Sequence, residues 1–428
     1  MINNLHHFEI LTSSSQKLLN YFINGFKFRL VYSKKCEKYN QYLLNSNYMN
    51  FLVTSLSDDK RTLSTNPNLN CFETSLKSIQ SADKELFSII EKRENTVFNA
   101  AFRVADLDRV LFNCNRHNVP IIKKKHILKD EFSTKNGYVE SAIIGSCISG
   151  VAHTLLDTNN YKGNFLPGFE PEEIANKTDN KSLATHFDHL TYATNKNTSH
   201  HIIDWYAKIF NMKRFKINRE DLDGLMVQTG ESGMNLKAIQ YWLCAETGVE
   251  LNSTENDFKF VISEPIDDEI STNKSKNQIS IFLDEHDGPG IQHIGLNTPN
   301  IIESVRTSKT NSDQVKYYAT PNSYYNNKDK LKEIEECGMN VDLLSENHIL
   351  LDAEIDEKTE EKITQKKLMN KKFDKNYLLQ VFTQPLFEKK TLFLELIQRV
   401  GHAQGFGAAN IKALWDAVQI ELNKKVAS

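Results

Sequence analysis

A strand–helix–strand pattern recurs along this chain of 428 residues, and it limits the possible folds more than any other feature. Residues 5–28 and residues 187–215 align well in this pattern, each with an apolar strand, a helix and a second strand. Shorter echoes begin at Val97 and at Ile291. The sequence therefore predicts four modules of the β-α-β-β-β type, with two modules in each half of the chain.

These modules predict an α+β fold built as two similar domains. Runs of alternating or aromatic-rich character, such as residues 48–54 and 279–283, indicate the remaining strands. The chain is longer than one hydrophobic core usually serves. We expect an N-terminal domain at residues 1–170, a C-terminal domain at 185–428, and a linker at 171–184 next to the turn residues Pro167 and Gly168.

Three stretches do not belong to the modules. Residues 55–93 are polar and residues 352–375 are crowded with Glu and Lys, so both are predicted to be surface insertions. Residues 410–424 place apolar side chains at helical spacing directly after Gly405 and Gly407. We expect a terminal helix, either simply packed on the domain or acting as a lid hinged on the two glycines.

Composition excludes several classes of function. Lys and Arg number 52 against 55 for Asp and Glu, so no long-range field favours nucleic acid. No apolar run approaches the roughly 20 residues of a membrane span. The six cysteines include no CxxC pair, which favours an intracellular, reducing compartment. We expect a cytoplasmic protein or a mitochondrial one. The mitochondrial alternative rests on residues 13–29, which are basic and contain no acidic residue, although a surface helix explains them more simply.

Three polar residues stand out within apolar, strand-like runs. His189 and His293 occupy similar places in two modules, and Glu395 lies in Leu-Phe-Leu-Glu-Leu-Ile, where a carboxylate is costly unless it is paired or bound to a metal. Two imidazoles and one carboxylate are the ligands of non-haem iron(II) oxygenases. The alternatives are ordinary core histidines and a salt bridge between Glu395 and Arg399.

The N-terminal half serves as an internal control for this site. His6 or His7 stands at the first ligand place and Asp157 at the last, but the middle place is Asn99. We therefore expect the N-terminal domain to support the fold or to dimerise, and not to bind a metal.

Several long motifs resemble the 4-hydroxyphenylpyruvate dioxygenase family of the vicinal-oxygen-chelate superfamily, and the resemblance runs from about residue 5 to residue 424. The most specific are Gly-Ile-Gln-His-Ile at 290–294, Tyr-Leu-Leu-Gln-Val-Phe-Thr-Gln-Pro at 377–385, and residues 391–399 followed by Gln-Gly-Phe-Gly at 404–407. Weaker matches lie at 153–157, 163–169 and 321–325. The resemblance implies a vicinal-oxygen-chelate fold with a C-terminal lid helix.

The resemblance also implies a cofactor, substrates and a set of site residues. Iron(II) is expected on His189, His293 and Glu395, with an aromatic 2-oxo acid and dioxygen as substrates. Six further positions match the family's pocket as amides or aromatic walls, and they are Gln278, Gln292, Gln380, Asn410, Phe382 and Phe406. The family further suggests a homodimer.

Three positions depart from the family's usual residues. Ala238 stands for a serine, Ser263 for an asparagine and Ile411 for a phenylalanine. These changes leave the metal ligands intact but alter the pocket for the aromatic ring. They lean toward the dioxygenase-like branch, and the product is open between homogentisate and 4-hydroxymandelate.

Two other functions compete with a dioxygenase that acts in tyrosine metabolism. The three departures also fit a non-catalytic paralogue that keeps a metal for a structural or regulatory role. Another oxygen-chelate chemistry, such as glyoxalase-type isomerisation with zinc or nickel, is less favoured, because two histidines and one carboxylate suit an open iron site.

Overall fold

The structure is a computed structural model, and it describes residues 2–36, 39–56, 93–172, 182–217, 223–229, 232–240, 258–266, 277–354, 376–401 and 403–415. These residues form two nine-stranded sheets with helices packed against them. The predicted α+β fold is therefore confirmed. No helix within the described residues has the length and apolar character needed to cross a bilayer.

The first sheet is formed by the N-terminal half, in the order β6-β7-β8-β5-β1-β4-β3-β2-β9. Its centre is the antiparallel pair β1 and β5, flanked by the parallel neighbours β4 and β8. The strands are β1 (Ile2–Leu11), β2 (Arg29–Lys35), β3 (Tyr39–Ser46), β4 (Met49–Leu56), β5 (Thr96–Val104), β6 (Ile121–Leu128), β7 (Val139–Gly145), β8 (Ala152–Asp157) and β9 (Glu170–Pro171).

The second sheet repeats this plan in the order β11-β13-β14-β10-β15-β18-β17-β16, with β12 paired to β13. Its centre is the antiparallel pair β10 and β15, again between parallel neighbours. The strands are β10 (His186–Ala193), β11 (Lys213–Phe215), β12 (Leu225–Thr229), β13 (Ser232–Gln240), β14 (Lys259–Pro265), β15 (Gly290–Asn297), β16 (Leu350–Glu354), β17 (Asn376–Phe382) and β18 (Phe393–Val400).

Helices follow the first strand of each β-α-β run. They are α1 (Ser15–Asn20), which continues as a π-helix (Tyr21–Gly25), α2 (Leu107–Arg116), α3 (Ser133–Asn136), α4 (Ser199–Phe210), α5 (Gln278–His286), α6 (Ile301–Asn311), α7 (Asn322–Tyr325), α8 (Lys328–Glu336) and α9 (Val341–Glu346). Residues 408–415 form a last helix, α10. The rest of the predicted terminal helix and most of both predicted insertions lie outside the described residues.

The predicted strand at residues 279–283 is wrong, because these residues belong to helix α5. The Asn277 side chain accepts hydrogen bonds from the backbone N–H groups of Ile279 and Ser280, which caps the helix. Ile279, Phe282 and His286 are buried on one helical face. A run of five apolar residues is compatible with a strand or with a helix, and the Asn277 cap favours the helix.

The second strand of the repeat at residues 5–28, which the sequence pattern places at residues 26–28, begins later than expected. The π-helix adds a residue to the turn after α1, and Lys27 has a left-handed backbone with a φ of 60°. Strand β2 therefore starts at Arg29.

The two halves pack against each other through an aromatic core. Phe8 and Phe51 of the first sheet contact Phe187 of the second, with ring centroids 4.9 and 5.1 Å apart. The buried Arg93 side chain also donates hydrogen bonds to the Ser149 and Asp287 carbonyls. The domain boundaries stay a prediction, although β9 is the last described strand of the first sheet and β10 the first of the second.

Candidate metal centre

Three neighbouring strands bring His189, His293 and Glu395 to one face of the second sheet. In the strand register, His189 of β10 lies opposite Gly295 of β15, and Gly295 lies opposite Glu395 of β18. His293 precedes Gly295 by two residues, so its side chain lies on the same face. Strand pairing therefore joins residues that are far apart in sequence.

Gly295 lies between His189 and Glu395 in the sheet and makes room for the His189 ring. A Cβ atom at this position would lie 2.5 Å from both Cε1 and Nδ1 of the His189 ring. No side chain other than hydrogen fits there unless the imidazole moves.

The three side chains converge on one small volume. His189 Nε2 lies 3.1 Å from Glu395 Oε2, and His293 Nε2 lies 3.7 Å from the same oxygen. Their ligand atoms all lie within 4.8 Å of one another, and no other such cluster occurs within the described ranges. Two ligand atoms that bind one ion at right angles, each about 2.1 Å away, are about 3 Å apart. The separations therefore fit a shared metal ion.

Asp188 orients the His189 ring so that Nε2 faces Glu395. Its Nδ1 lies 2.9 Å from Asp188 Oδ1. Arg399 forms a bidentate pair with the same carboxylate, with Nε 2.7 Å from Oδ2 and Nη2 2.8 Å from Oδ1. Arg399 thus pairs with Asp188, and the alternative pairing with Glu395 is not formed. A carboxylate behind a ligand histidine is the usual support in metal sites.

The electrostatics of the cluster favour a cation. Burial raises the Asp188 pKa, but the Arg399 charge outweighs this and lowers it well below its ordinary value. Burial likewise opposes the charge of His189, but Glu395 and Asp188 raise the pKa of His189 to about 9. Burial and the His189 charge lower the pKa of His293. In the metal-free protein, a proton on His189 thus offsets the negative charge of Glu395, as a bound metal ion would.

Glu395 is supported from the opposite side by two amides. Gln380 Nε2 donates to Glu395 Oε1 at 2.8 Å and to the Phe406 carbonyl at 3.1 Å. Asn410 Nδ2 donates to Gln380 Oε1 at 2.8 Å. The remaining oxygen of Glu395, Oε2, faces the two histidines.

A mostly apolar cavity opens above the cluster. Most of the predicted pocket residues line it, namely Gln278, Gln292, Gln380, Phe382, Phe406, Ser263 and Ile411. Asn410 lies behind Gln380, and Ala238 lies outside the lining in an apolar cluster. The residues that sequence reasoning missed are Thr191, Ile217, Met234, Leu236, Val261, Phe393 and Leu414. On β13, the period-two spacing that selects Ala238 also selects Leu236 and Met234.

The first sheet has a different set of residues at the equivalent place. The register aligns Asn99 with His293 and Thr154 with Glu395. The prediction that Asp157 takes the carboxylate's place is wrong, because Asp157 lies three residues further along β8. Asn99 stands at the middle place, which corresponds to His293, as predicted.

In the first sheet, the buried Glu9 lies opposite Asn99, on the side of the sheet that corresponds to the metal cluster of the second sheet. Glu9 Oε1 accepts hydrogen bonds from Gln41 Nε2 at 2.9 Å and from Thr54 Oγ1 at 2.7 Å. Asn99 Nδ2 donates to Glu9 Oε2 at 3.0 Å. These three hydrogen bonds come from neutral donors, and Glu9 offers a buried carboxylate to compare with Glu395.

Two known proteins are similar to this chain over at least two thirds of its length. The 4-hydroxyphenylpyruvate dioxygenase-like protein of Mus musculus is 33% identical over 289 residues, which cover 67% of this chain and 68% of the mouse protein. The 4-hydroxyphenylpyruvate dioxygenase of Dictyostelium discoideum is 30% identical over 329 residues, or 76% of this chain and 77% of that protein.

A solved structure shows the same fold. A mutant of 4-hydroxymandelate synthase from Streptomyces coelicolor superposes with a TM-score of 0.69 and 20% identity, covering 98% of this chain and 99% of that one. No family model matches the sequence. On the strength of the two relatives, this chain belongs to the 4-hydroxyphenylpyruvate dioxygenase family, a family of iron-dependent dioxygenases.

Proposed function

We propose that this chain holds one iron(II) ion on His189, His293 and Glu395 and oxidises 4-hydroxyphenylpyruvate, with loss of carbon dioxide and hydroxylation of the retained aromatic part. The observation that carries the proposal is the convergence of two imidazoles and one carboxylate at the base of an aromatic-walled cavity. When bound, the iron supplies open positions where a chelating 2-oxo acid and dioxygen meet.

The side chains around the cavity suit an aromatic 2-oxo acid. Phe382 and Phe406 provide flat walls, and Phe393 stacks on His293 with centroids 4.7 Å apart. Among the described residues, the Gln278 side chain hydrogen-bonds weakly to Met234 Sδ at 3.8 Å, so we propose that its amide binds a substrate oxygen. We assign the aromatic walls to the substrate ring, and Gln278 and Gln292 to its polar groups.

The amides near Glu395 have a further role in this proposal. Gln380 and Asn410 hydrogen-bond to each other, and Gln380 holds Glu395. We propose that these two amides orient the ligand carboxylate, Gln380 by direct contact with Glu395 and Asn410 through its hydrogen bond to Gln380. The bond between the two amides contributes about 1 kcal/mol, and the bond to the Glu395 carboxylate contributes about 1.5–3 kcal/mol.

Two isosteric variants test the metal assignment. Glu395→Gln should lose iron(II) binding and iron-dependent oxygen uptake with 4-hydroxyphenylpyruvate, because an amide is a poor ligand at this position. Glu9→Gln changes the buried glutamate of the first sheet and should keep both. Oxygen uptake that survives Glu395→Gln would refute the assignment.

We propose that the product depends on the cavity wall that β13 and β14 form. Leu236 and Ser263 lie opposite each other on β13 and β14, and both line the cavity. Ser263 Oγ lies 3.5 Å from Met234 Sδ, so this wall offers weak hydrogen bonding. We propose 4-hydroxymandelate or homogentisate as the product, and mass spectrometry of the reaction under air distinguishes them by chromatographic comparison with standards.

The departures Ser263 and Ile411 also favour a second candidate, a metal-binding paralogue without catalysis. Both line the cavity, so they alter its shape directly. This candidate predicts that the iron(II)-loaded protein consumes no oxygen with 4-hydroxyphenylpyruvate in the presence of ascorbate. Substrate-dependent oxygen uptake that requires Glu395 excludes it.

A further inference from the structure

The C-terminal segment, residues 403–415, contacts the supports of two of the three ligands. It follows β18 directly and contributes Phe406, Ile411 and Leu414 to the cavity. Its first residues run past Arg399, and its helix starts beside Gln380. These contacts connect the segment to side chains that hold His189 and Glu395.

The first connection passes through Arg399. One edge of its guanidinium group pairs with Asp188, which holds His189. Its Nη1 donates to the Gly405 carbonyl at 2.7 Å and lies 3.4 Å from the Ala403 carbonyl. The planar guanidinium group thus fixes the distance between the support of His189 and the segment.

The second connection passes through Gln380. Its Nε2 donates both to Glu395 and to the Phe406 carbonyl, and its Oε1 accepts from Asn410. Gly407 allows this approach, because its φ is +69° and a Cβ atom would lie 2.2 Å from Gln380 Oε1. One amide therefore touches a ligand and two residues of the segment.

Glu354 holds the other side of the segment. Its Oε1 accepts from the Gly405 N–H at 2.6 Å, and its Oε2 accepts from the Gln404 N–H at 2.9 Å. Glu354 lies at the end of β16 and touches no metal ligand. It therefore offers a way to loosen the segment without touching the metal centre.

We propose that Arg399 is a positioning residue that couples metal binding to docking of the C-terminal segment. The inference rests on the proposed function, since it requires a metal on the triad. A metal ion fixes His189, which holds Asp188 and through it Arg399. The ion also fixes Glu395, which holds Gln380. Arg399 and Gln380 then have the positions in which they bind the docked segment. The coupling is reciprocal, so loosening the segment lowers metal affinity.

The test measures metal affinity and backbone protection, and it needs no turnover. Iron(II) affinity is measured under argon by competition with a chelator, and hydrogen exchange of residues 403–411 is followed with and without iron(II). In the wild-type chain, iron(II) should slow exchange in this segment by roughly 10-fold or more. Arg399→Lys should weaken iron(II) binding by roughly 10–100-fold and remove most of that protection.

Two matched variants separate coupling from general destabilisation. Arg93→Lys shortens another buried arginine that binds backbone carbonyls, but Arg93 contacts neither the triad nor the segment. It should keep wild-type iron(II) affinity. Glu354→Gln should weaken iron(II) binding. Its control is Glu333→Gln, which changes a neighbouring carboxylate that accepts from the Ala353 N–H. This control variant should not weaken iron(II) binding.

The outcomes distinguish this inference from the proposed function. A wild-type chain that binds no iron(II) overturns the proposed function and the coupling with it. Iron(II) binding without added protection at residues 403–411 overturns the coupling alone. Equal iron(II) affinity in Arg399→Lys and Arg93→Lys overturns it as well.

Discussion

Substituting Gly295 by alanine should displace a metal ligand without straining the backbone. Gly295 has no positive φ, and it lies in β15 between His189 and Glu395. Gly→Ala at a compatible strand position usually stabilises a protein by about 0.4–1 kcal/mol. Here the new Cβ would lie 2.5 Å from two atoms of the His189 ring, so the ring must turn away.

The expected cost follows from the contacts that the ring makes. Turning His189 breaks the hydrogen bond from Nδ1 to Asp188 and the contact of Nε2 with Glu395. A hydrogen bond to a charged group contributes about 1.5–3 kcal/mol, so the two together contribute roughly 3–6 kcal/mol. After the backbone gain, the metal-free protein should lose roughly 2–5 kcal/mol in its free energy of unfolding. Iron(II) affinity should fall by roughly 100-fold or more, because a ligand itself has moved.

Urea unfolding of the metal-free protein and chelator competition for iron(II) measure the two effects. Gly145→Ala is the matched control, since Gly145 is also a strand glycine and its new Cβ would meet Pro120 Cβ at an ordinary 3.6 Å. It should be neutral or slightly stabilising. A Gly295→Ala protein as stable as Gly145→Ala, with wild-type iron(II) affinity, would refute the reasoning.

Two further predictions concern stability. Gly407→Ala and Gly338→Ala both place alanine at a φ near +70°, which costs each variant about 1–2 kcal/mol. Only Gly407→Ala also clashes with Gln380, so in urea unfolding it should lose roughly 1–3 kcal/mol more than Gly338→Ala. Equal losses in the two variants would contradict the role given to Gly407. For the metal-free protein, the pKa of His189 is about 9 when folded and 6.5 when unfolded, so its contribution is complete below pH 6.5 and is lost as the pH rises through 9. The free energy of unfolding should therefore fall by roughly 3 kcal/mol across this window, and a flat profile would count against a protonated His189.

Residue types, the module repeat and the family resemblance were enough to predict which three residues form the candidate metal cluster. His189, His293 and Glu395 each interrupt an apolar strand pattern, and the module repeat indicated that the two histidine strands occupy equivalent places. The structure brings these side chains together on adjacent strands. Burial of a charged group in an apolar run is a local signal, so a single sequence carries it.

The same patterns did not predict which residue along a strand lies at a given place in the site. Leu236, and not Ala238, lines the cavity on β13, although both lie on the same face of the strand. Likewise Thr154, and not Asp157, lies at the place that corresponds to Glu395. Periodicity gives the face of a strand, but the position along that face depends on the register with strands far away in sequence.

The sequence by itself determined the α+β class, the recurring β-α-β order and the three residues of the candidate metal cluster, because these depend on local periodicity and on the cost of burying charge. Only the tertiary structure decided that Arg399 pairs with Asp188 and that Gln380 supports Glu395. It also decided that Gly295 makes room for the His189 ring. These contacts join distant segments at distances of a few ångströms, and such distances follow from strand pairing and packing, which no local pattern contains.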